Sequence, residues 1–148
     1  MVKIRVTKRF FFESAHALYG YDGKCKNIHG HSYILEVTVM GDTIEDENHP
    51  KRGMVMDFGD LSKLVKETIV DHFDHALLLN EKQNQFVSED FKQQFERIIL
   101  LPFQPTSEKL LEYFVSLLKP KLADNITLLS LRLYETATSY AEWNLLDN

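Results

Sequence analysis

From Val2 to His16 the side chains alternate in character. Even positions carry Val2, Ile4, Val6, Phe10, Phe12, Ser14 and His16, with Lys8 the one charge among them, while the odd positions are mostly polar: Lys3, Arg5, Thr7, Arg9 and Glu13. A period of two sustained over that length puts the apolar set on one face of a β-strand and would scatter it around a helix. A strand is therefore expected over Val2–His16, with His16 continuing the apolar face. A second alternation begins at His29, where His29, His31, Tyr33, Leu35, Val37 and Val39 share a face against Ser32, Glu36 and Thr38. The link between the two contains Tyr19-Gly20-Tyr21-Asp22-Gly23, whose glycines and aspartate signal a turn or loop. The expected product is an antiparallel hairpin in which, provided no bulge intervenes, His16 meets His29 and His31 across the strands.

The stretch Cys25-Lys26-Asn27-Ile28-His29-Gly30-His31 holds the single cysteine and two of the six histidines. Two imidazoles two residues apart on a strand can face one ion. Histidine is also an ordinary partly buried residue, so the pair alone leaves a metal-ligating and a structural reading open. One cysteine cannot form an internal disulfide, which agrees with a reducing compartment and leaves Cys25, on the loop entering the second strand, free for metal or covalent chemistry. A net charge of −5 with scattered basic residues gives no electrostatic footprint for nucleic acid. Only three consecutive apolar residues precede Glu13, too few for a signal segment or a membrane span. The expectation is a cytoplasmic protein with neither nucleic acid nor membrane as partner, and 148 residues fit one domain, 1–148.

Gly41 to Gly53 is polar and acidic, hence a loop. Asp57 is then a candidate N-cap, with Asp60 in the first turn of a helix whose stripe reads Leu61, Leu64, Val65, Thr68, Ile69 and His72 to about residue 73. It ends in Asp71-His72-Phe73-Asp74-His75, which suits either catalysis or a helix C-terminus where histidines favour the dipole. Asn80 to Pro102 is charged and amide-rich, with Phe86, Phe91, Phe95, Ile98 and Ile99, and reads as an inserted flap containing a short amphipathic helix. Pro105-Thr106-Ser107-Glu108 starts a second helix, capped by Thr106 or Ser107, whose apolar stripe includes Leu110, Leu111, Phe114 and Leu118. Alternation returns from Ile126, with Leu129, Leu131, Leu133 and Glu135 in one row, followed by a turn at Thr136–Ser139 and a last strand over Tyr140–Leu146. A carboxylate ending a buried row needs a partner, and a substrate serves as readily as a side chain. The order is β-β-α-α-β-β, an α+β domain.

Six segments in this order carry a resemblance: Phe12-Glu13-Ser14-Ala15-His16, Cys25 through His31, Met56-Asp57-Phe58, Phe73-Asp74-His75, Pro105-Thr106-Ser107-Glu108 and Tyr134-Glu135-Thr136-Ala137-Thr138. The chain resembles the 6-pyruvoyl-tetrahydropterin synthase and 6-carboxytetrahydropterin synthase family of the tunnelling fold. That resemblance implies a four-stranded antiparallel sheet with two helices on one face, departing from compact members by an insertion at about 81–101. It implies an oligomeric barrel of three subunits, two of which stack as a homohexamer with active sites at subunit interfaces, zinc on one chain facing Asp74 and His75 of a neighbour. It implies zinc on His16, His29 and His31 with one position left open, as in catalytic zinc sites. Cys25 corresponds to a proton-transferring thiol, and Asp74 with His75 to its partner pair. Glu135 corresponds to the carboxylate that anchors the pterin, counted also in the proton relay, and Thr106 to a substrate contact. His72 matches nothing and stays structural; Asp57 and Glu108 are caps.

The spacing of Cys25, His29 and His31, together with Glu135-Thr136-Ala137-Thr138, resembles the bacterial carboxy-forming type. The implied reaction converts 7,8-dihydroneopterin triphosphate to 6-carboxy-5,6,7,8-tetrahydropterin with release of acetaldehyde and triphosphate, in 7-deazaguanine (queuosine) synthesis. The rival readings are the pyruvoyl-forming reaction and a non-catalytic zinc- or pterin-binding homologue. An aldolase-type relative would carry glutamate where Cys25 stands.

Overall fold

A computed structural model describes residues 2–148. Strands β1 (Ile4–His16) and β2 (His29–Gly41) form the expected hairpin. Their register runs without a bulge from Ile4 opposite Gly41 to His16 opposite His29, so the phase set by the phenylalanines reaches the histidines intact. On the β2 side, β5 (Thr127–Tyr134) and β6 (Tyr140–Asn144) extend the sheet antiparallel. On the β1 side, β3 (Ala76–Asn80) and β4 (Ile98–Leu101) are added in parallel.

The sheet is therefore six-stranded and mixed, in the order β4-β3-β1-β2-β5-β6. This corrects the expected four-stranded antiparallel sheet: β1, β2, β5 and β6 are as expected, and β3 and β4 are extra. Both extra strands are short apolar runs, Ala-Leu-Leu-Leu and Ile-Ile-Leu-Leu, in which no alternation distinguishes a strand from a helix fragment. The stretch expected as an insertion, 81–101, thus contributes a strand.

Helix α1 (Phe58–Val65) is capped by Asp57, whose carboxylate accepts from the Gly59 N–H at 2.6 Å. It continues through a π turn (Lys66–Val70) into α2 (Asp71–Phe73). A π turn inserts residues into the helical phase. Phe73 accordingly takes the core position that uninterrupted α periodicity gives to His72, and His72 is exposed. Helix α3 (Glu89–Gln94) is capped by the Ser88 hydroxyl. Helix α4 (Ser107–Leu118) is capped by Thr106, which accepts from the Lys109 N–H.

Leu61, Val65, Ile69 and Phe73 from the first helical run and Leu110, Leu111, Phe114 and Leu118 from α4 pack on Phe10, Phe12, Tyr33, Leu35, Val37, Leu131 and Leu133 of the sheet. Phe12 stacks on Tyr33 at 5.0 Å between ring centres, and Phe114 meets Phe12 and Phe73 edge-on. Each such side chain contributes about 1.5–3 kcal/mol through burial. This core fixes the end of the hairpin that carries the histidines. Among the described residues, no helix is long and apolar enough to cross a membrane.

Candidate metal centre and active site

His16, His29 and His31 meet at the end of the β1–β2 hairpin with one ring nitrogen each, all within 4.8 Å of one another. His16 Nε2 lies 3.0 Å from His29 Nε2 and 3.1 Å from His31 Nε2. The outer nitrogens decide what these contacts mean. His16 Nδ1 is 2.7 Å from the Pro105 carbonyl, and His29 Nδ1 is 2.7 Å from the Asn27 carbonyl. A carbonyl only accepts, so both Nδ1 atoms carry a proton, and a neutral ring so arranged presents its Nε2 lone pair inward. Two lone pairs 3.0 Å apart repel unless a cation lies between them.

Burial lowers the proton affinity of His16, which is 2% exposed, and of His31. Both rings are thus kept in the neutral form that ligates a metal. Glu135, just past the end of β5, brings Oε1 to 3.4 Å from His16 Nε2 and His31 Nε2. Three imidazoles beside a carboxylate are a donor set that suits zinc, and the residues present fit a zinc ion with an open position.

Asp74 and His75 form a second unit where α2 gives way to β3. His75 Nδ1 donates to Asp74 Oδ2 at 2.9 Å, and the Glu13 N–H donates to Asp74 Oδ1 at 2.8 Å. The Glu13 hydrogen bond, reinforced by His75, holds the Asp74 carboxyl below the usual carboxylate range. His75 has φ 57°, a left-handed conformation that costs a residue with a Cβ about 1–3 kcal/mol. Its N–H donates to the Glu13 carbonyl at 2.6 Å, so β1 grips the turn through both backbone groups of one residue. With Nδ1 engaged and the side chain 75% exposed, the Nε2 of His75 faces outward, the geometry of an oriented proton acceptor. His31 and His75 border one cleft of about 880 Å³, whose lining also includes Phe91 and Phe95 from the stretch between β3 and β4.

Cys25 lies on a 3₁₀ turn (Lys24–Lys26) in the hairpin loop, half-buried, and its sulfur is outside the three-nitrogen cluster. Thr106 is the N-cap of α4, next to the Pro105 carbonyl that orients His16. The structure thus gathers His16, His29, His31 and Glu135, pairs Asp74 with His75, and spends the Thr106 hydroxyl on the helix. Three positions that hold the site were not read from the sequence: Asn27, Pro105 and Glu13. Each acts through backbone atoms, which any residue type supplies, and the only readable trace is the helix start that places Pro105.

The sequence profile of the 6-pyruvoyl tetrahydropterin synthase family matches residues 5–145. The chain belongs to that family. Among its relatives, the 6-carboxy-5,6,7,8-tetrahydropterin synthase of Haemophilus influenzae is 36% identical over 142 residues, covering 94% of this chain and 97% of the relative. The protein of the same name from Aquifex aeolicus is 29% identical over 165 residues, covering 96% and 98%. Of solved structures, an uncharacterized protein from Wolinella succinogenes superposes with a TM-score of 0.78 at 18% identity, covering 98% and 99% of the two chains. The 6-pyruvoyl tetrahydropterin synthase of Caenorhabditis elegans does so with a TM-score of 0.69 at 24% identity, covering 97% and 96%. These two establish the fold alone. The family resemblance drawn from the six sequence segments is borne out.

Proposed function

We propose that this family member is a zinc-dependent lyase that converts 7,8-dihydroneopterin triphosphate to 6-carboxy-5,6,7,8-tetrahydropterin, releasing acetaldehyde and triphosphate, within 7-deazaguanine (queuosine) synthesis in the cytoplasm. The observation that carries the reading is the end-to-end match to relatives named 6-carboxy-5,6,7,8-tetrahydropterin synthase. The convergent ring nitrogens of His16, His29 and His31 support it, since they could hold the ion. When bound, zinc supplies Lewis acidity that polarises oxygens of the substrate side chain.

The chain's own residues do the rest. Glu135 is 30% exposed and accepts hydrogen bonds from the amino-pyrimidine edge of the pterin, which sets the substrate beside the histidines. The Cys25 thiol moves a proton at the substrate side chain. His75 Nε2 takes up or returns a proton, and Asp74 holds the ring in the tautomer that leaves Nε2 free. Thr106, whose hydroxyl oxygen accepts from the Lys109 N–H, still has its O–H to donate to the substrate.

Assembly belongs to the same reading. Among the described residues, the edge of β1 away from β2 is paired only at Ser14, Ala15 and His16, so most of its length is open, as is the outer edge of β6. Open edges of this length are normally paired or covered. Pairing β1 of one copy with β6 of the next closes three copies into a barrel, two of which stack as a hexamer with sites shared at the subunit boundaries.

A pyruvoyl-forming reaction is the second reading, favoured by a 37% match over 86 residues to the 6-pyruvoyl tetrahydrobiopterin synthase of Dictyostelium discoideum, which covers 51% of this chain. One assay separates them. Incubation of the zinc-loaded protein with 7,8-dihydroneopterin triphosphate should release acetaldehyde in step with triphosphate; triphosphate without acetaldehyde refutes the carboxy-forming reaction and leaves the metal site untouched.

A further inference from the structure

The turn that carries Asp74 and His75 is held by a residue of the inserted segment. Arg97 stands immediately before β4, and its Nη2 donates to the carbonyls of Asp71 at 2.6 Å and His72 at 2.9 Å. These belong to the last turn of the helical run, whose final carbonyls have no partner within the helix. The Arg97 carbonyl in turn accepts from the Leu77 N–H at 2.8 Å. One residue therefore grips the chain just before Asp74 and just after His75. Between the two grips the backbone leaves the helix for an extended conformation at Asp74 (ψ 131°) and a left-handed one at His75 (φ 57°). A histidine keeps that conformation only where its surroundings impose it. Glu13 imposes it from β1, and Arg97 imposes it from the opposite side. The guanidinium is suited to this because its charge is permanent and its donors are rigidly arranged, whereas a lysine in the same place is a flexible point charge.

We propose that Arg97 is a positioning residue for the Asp74–His75 pair, delivered by the segment between β3 and β4. Its kinetic consequence rests on the lyase reading above; its structural consequence does not.

Two arms test it. Arg97 is exposed, so replacement leaves the core intact. With 7,8-dihydroneopterin triphosphate, Arg97→Met should lower kcat about 10- to 100-fold with KM changed less than about twofold, the usual scale for a catalytic group displaced by a fraction of an ångström to an ångström. Zinc content should not change, and Arg97→Lys should recover part of the loss. In a His75→Ala background the same Arg97→Met substitution should change kcat less than about twofold, because the group it positions is gone. An equal loss in both backgrounds, or unchanged kcat in Arg97→Met, overturns the proposal. The second arm needs no turnover: amide hydrogen exchange followed by NMR. The His75 and Leu77 amides should exchange at least about tenfold faster in Arg97→Met, while those of Phe12 and Leu35 stay protected. Unchanged exchange at His75 overturns the proposal. A wild-type protein that does not turn over the substrate sinks the lyase reading instead, and the exchange arm then decides the role of Arg97 alone.

Discussion

His16 commits both ring nitrogens, one to the Pro105 carbonyl and one to the centre of the histidine cluster. His29 does the same through Asn27. His29→Ala should therefore strip zinc from a protein that stays folded, because the hairpin is held by its phenylalanine, leucine and valine face; metal analysis of the purified variant checks this, and full zinc content would place the ion elsewhere. Cys25→Ala should keep the zinc and lose turnover by roughly 10²–10⁴-fold, the range for a missing proton-transfer group. Protons would compete with a bound ion at the same nitrogens. Burial lowers the proton affinity of His16 and His31 below the ordinary histidine value of about 6.5. In the metal-free protein the unfolded chain thus binds protons first as the pH falls. The stability that these rings contribute is complete above about pH 6.5 and is lost as the pH drops through their lower folded values. The melting temperature of chelator-treated protein should decline on acidification from about pH 7 to about pH 5, and a flat profile would show that the rings are not buried as described. At this scale the meeting of His16 with His29 and His31 was legible from strand phase, but the carbonyls that accept from their outer nitrogens were not, since a backbone atom carries no residue signature.

At the scale of elements, the legible parts are those with a strict period. β1, β2 and β5 announce themselves by alternation, and α4 by its stripe and its Pro105-Thr106 start. β3 and β4 are too short and too uniformly apolar to announce anything, and their parallel pairing links segments that no local pattern connects. The first helical run shows a different failure. A stripe of constant phase assigns the core position to His72, whereas the π turn at Lys66–Val70 delays the phase and hands that position to Phe73. Paired substitutions test the delay: Phe73→Ala should cost about 3–5 kcal/mol of unfolding free energy, and His72→Ala should stay within about 0.5 kcal/mol of the parent. Denaturant titration of both variants measures it, and comparable losses would restore the uninterrupted phase.

For the whole molecule, the arrangement of open edges has a direct test. Among the described residues, the edge of β1 away from β2 is mostly unpaired and the outer side of β6 has no strand beside it, while the cleft bordered by His31 and His75 lies on the β3 side of the hairpin. If copies pair edge to edge and share sites, inactive His31→Ala and inactive His75→Ala chains, unfolded together and reassembled, should regain a substantial fraction of wild-type activity. No recovery in a mixture that sediments as a hexamer would confine each site to one chain.

The bulge-free register from Ile4 opposite Gly41 to His16 opposite His29 serves the apolar face and the histidine cluster at once. A slip of one residue would turn every side chain of the slipped strand to the other face, taking its phenylalanines or its histidines outward together. A misaligned hairpin is consequently blind to the ion. On the zinc reading proposed above, metal supplied during refolding should select among strand alignments as well as fill a site, and the fraction of chains that capture it under excess metal should count the molecules whose first two strands have zipped correctly.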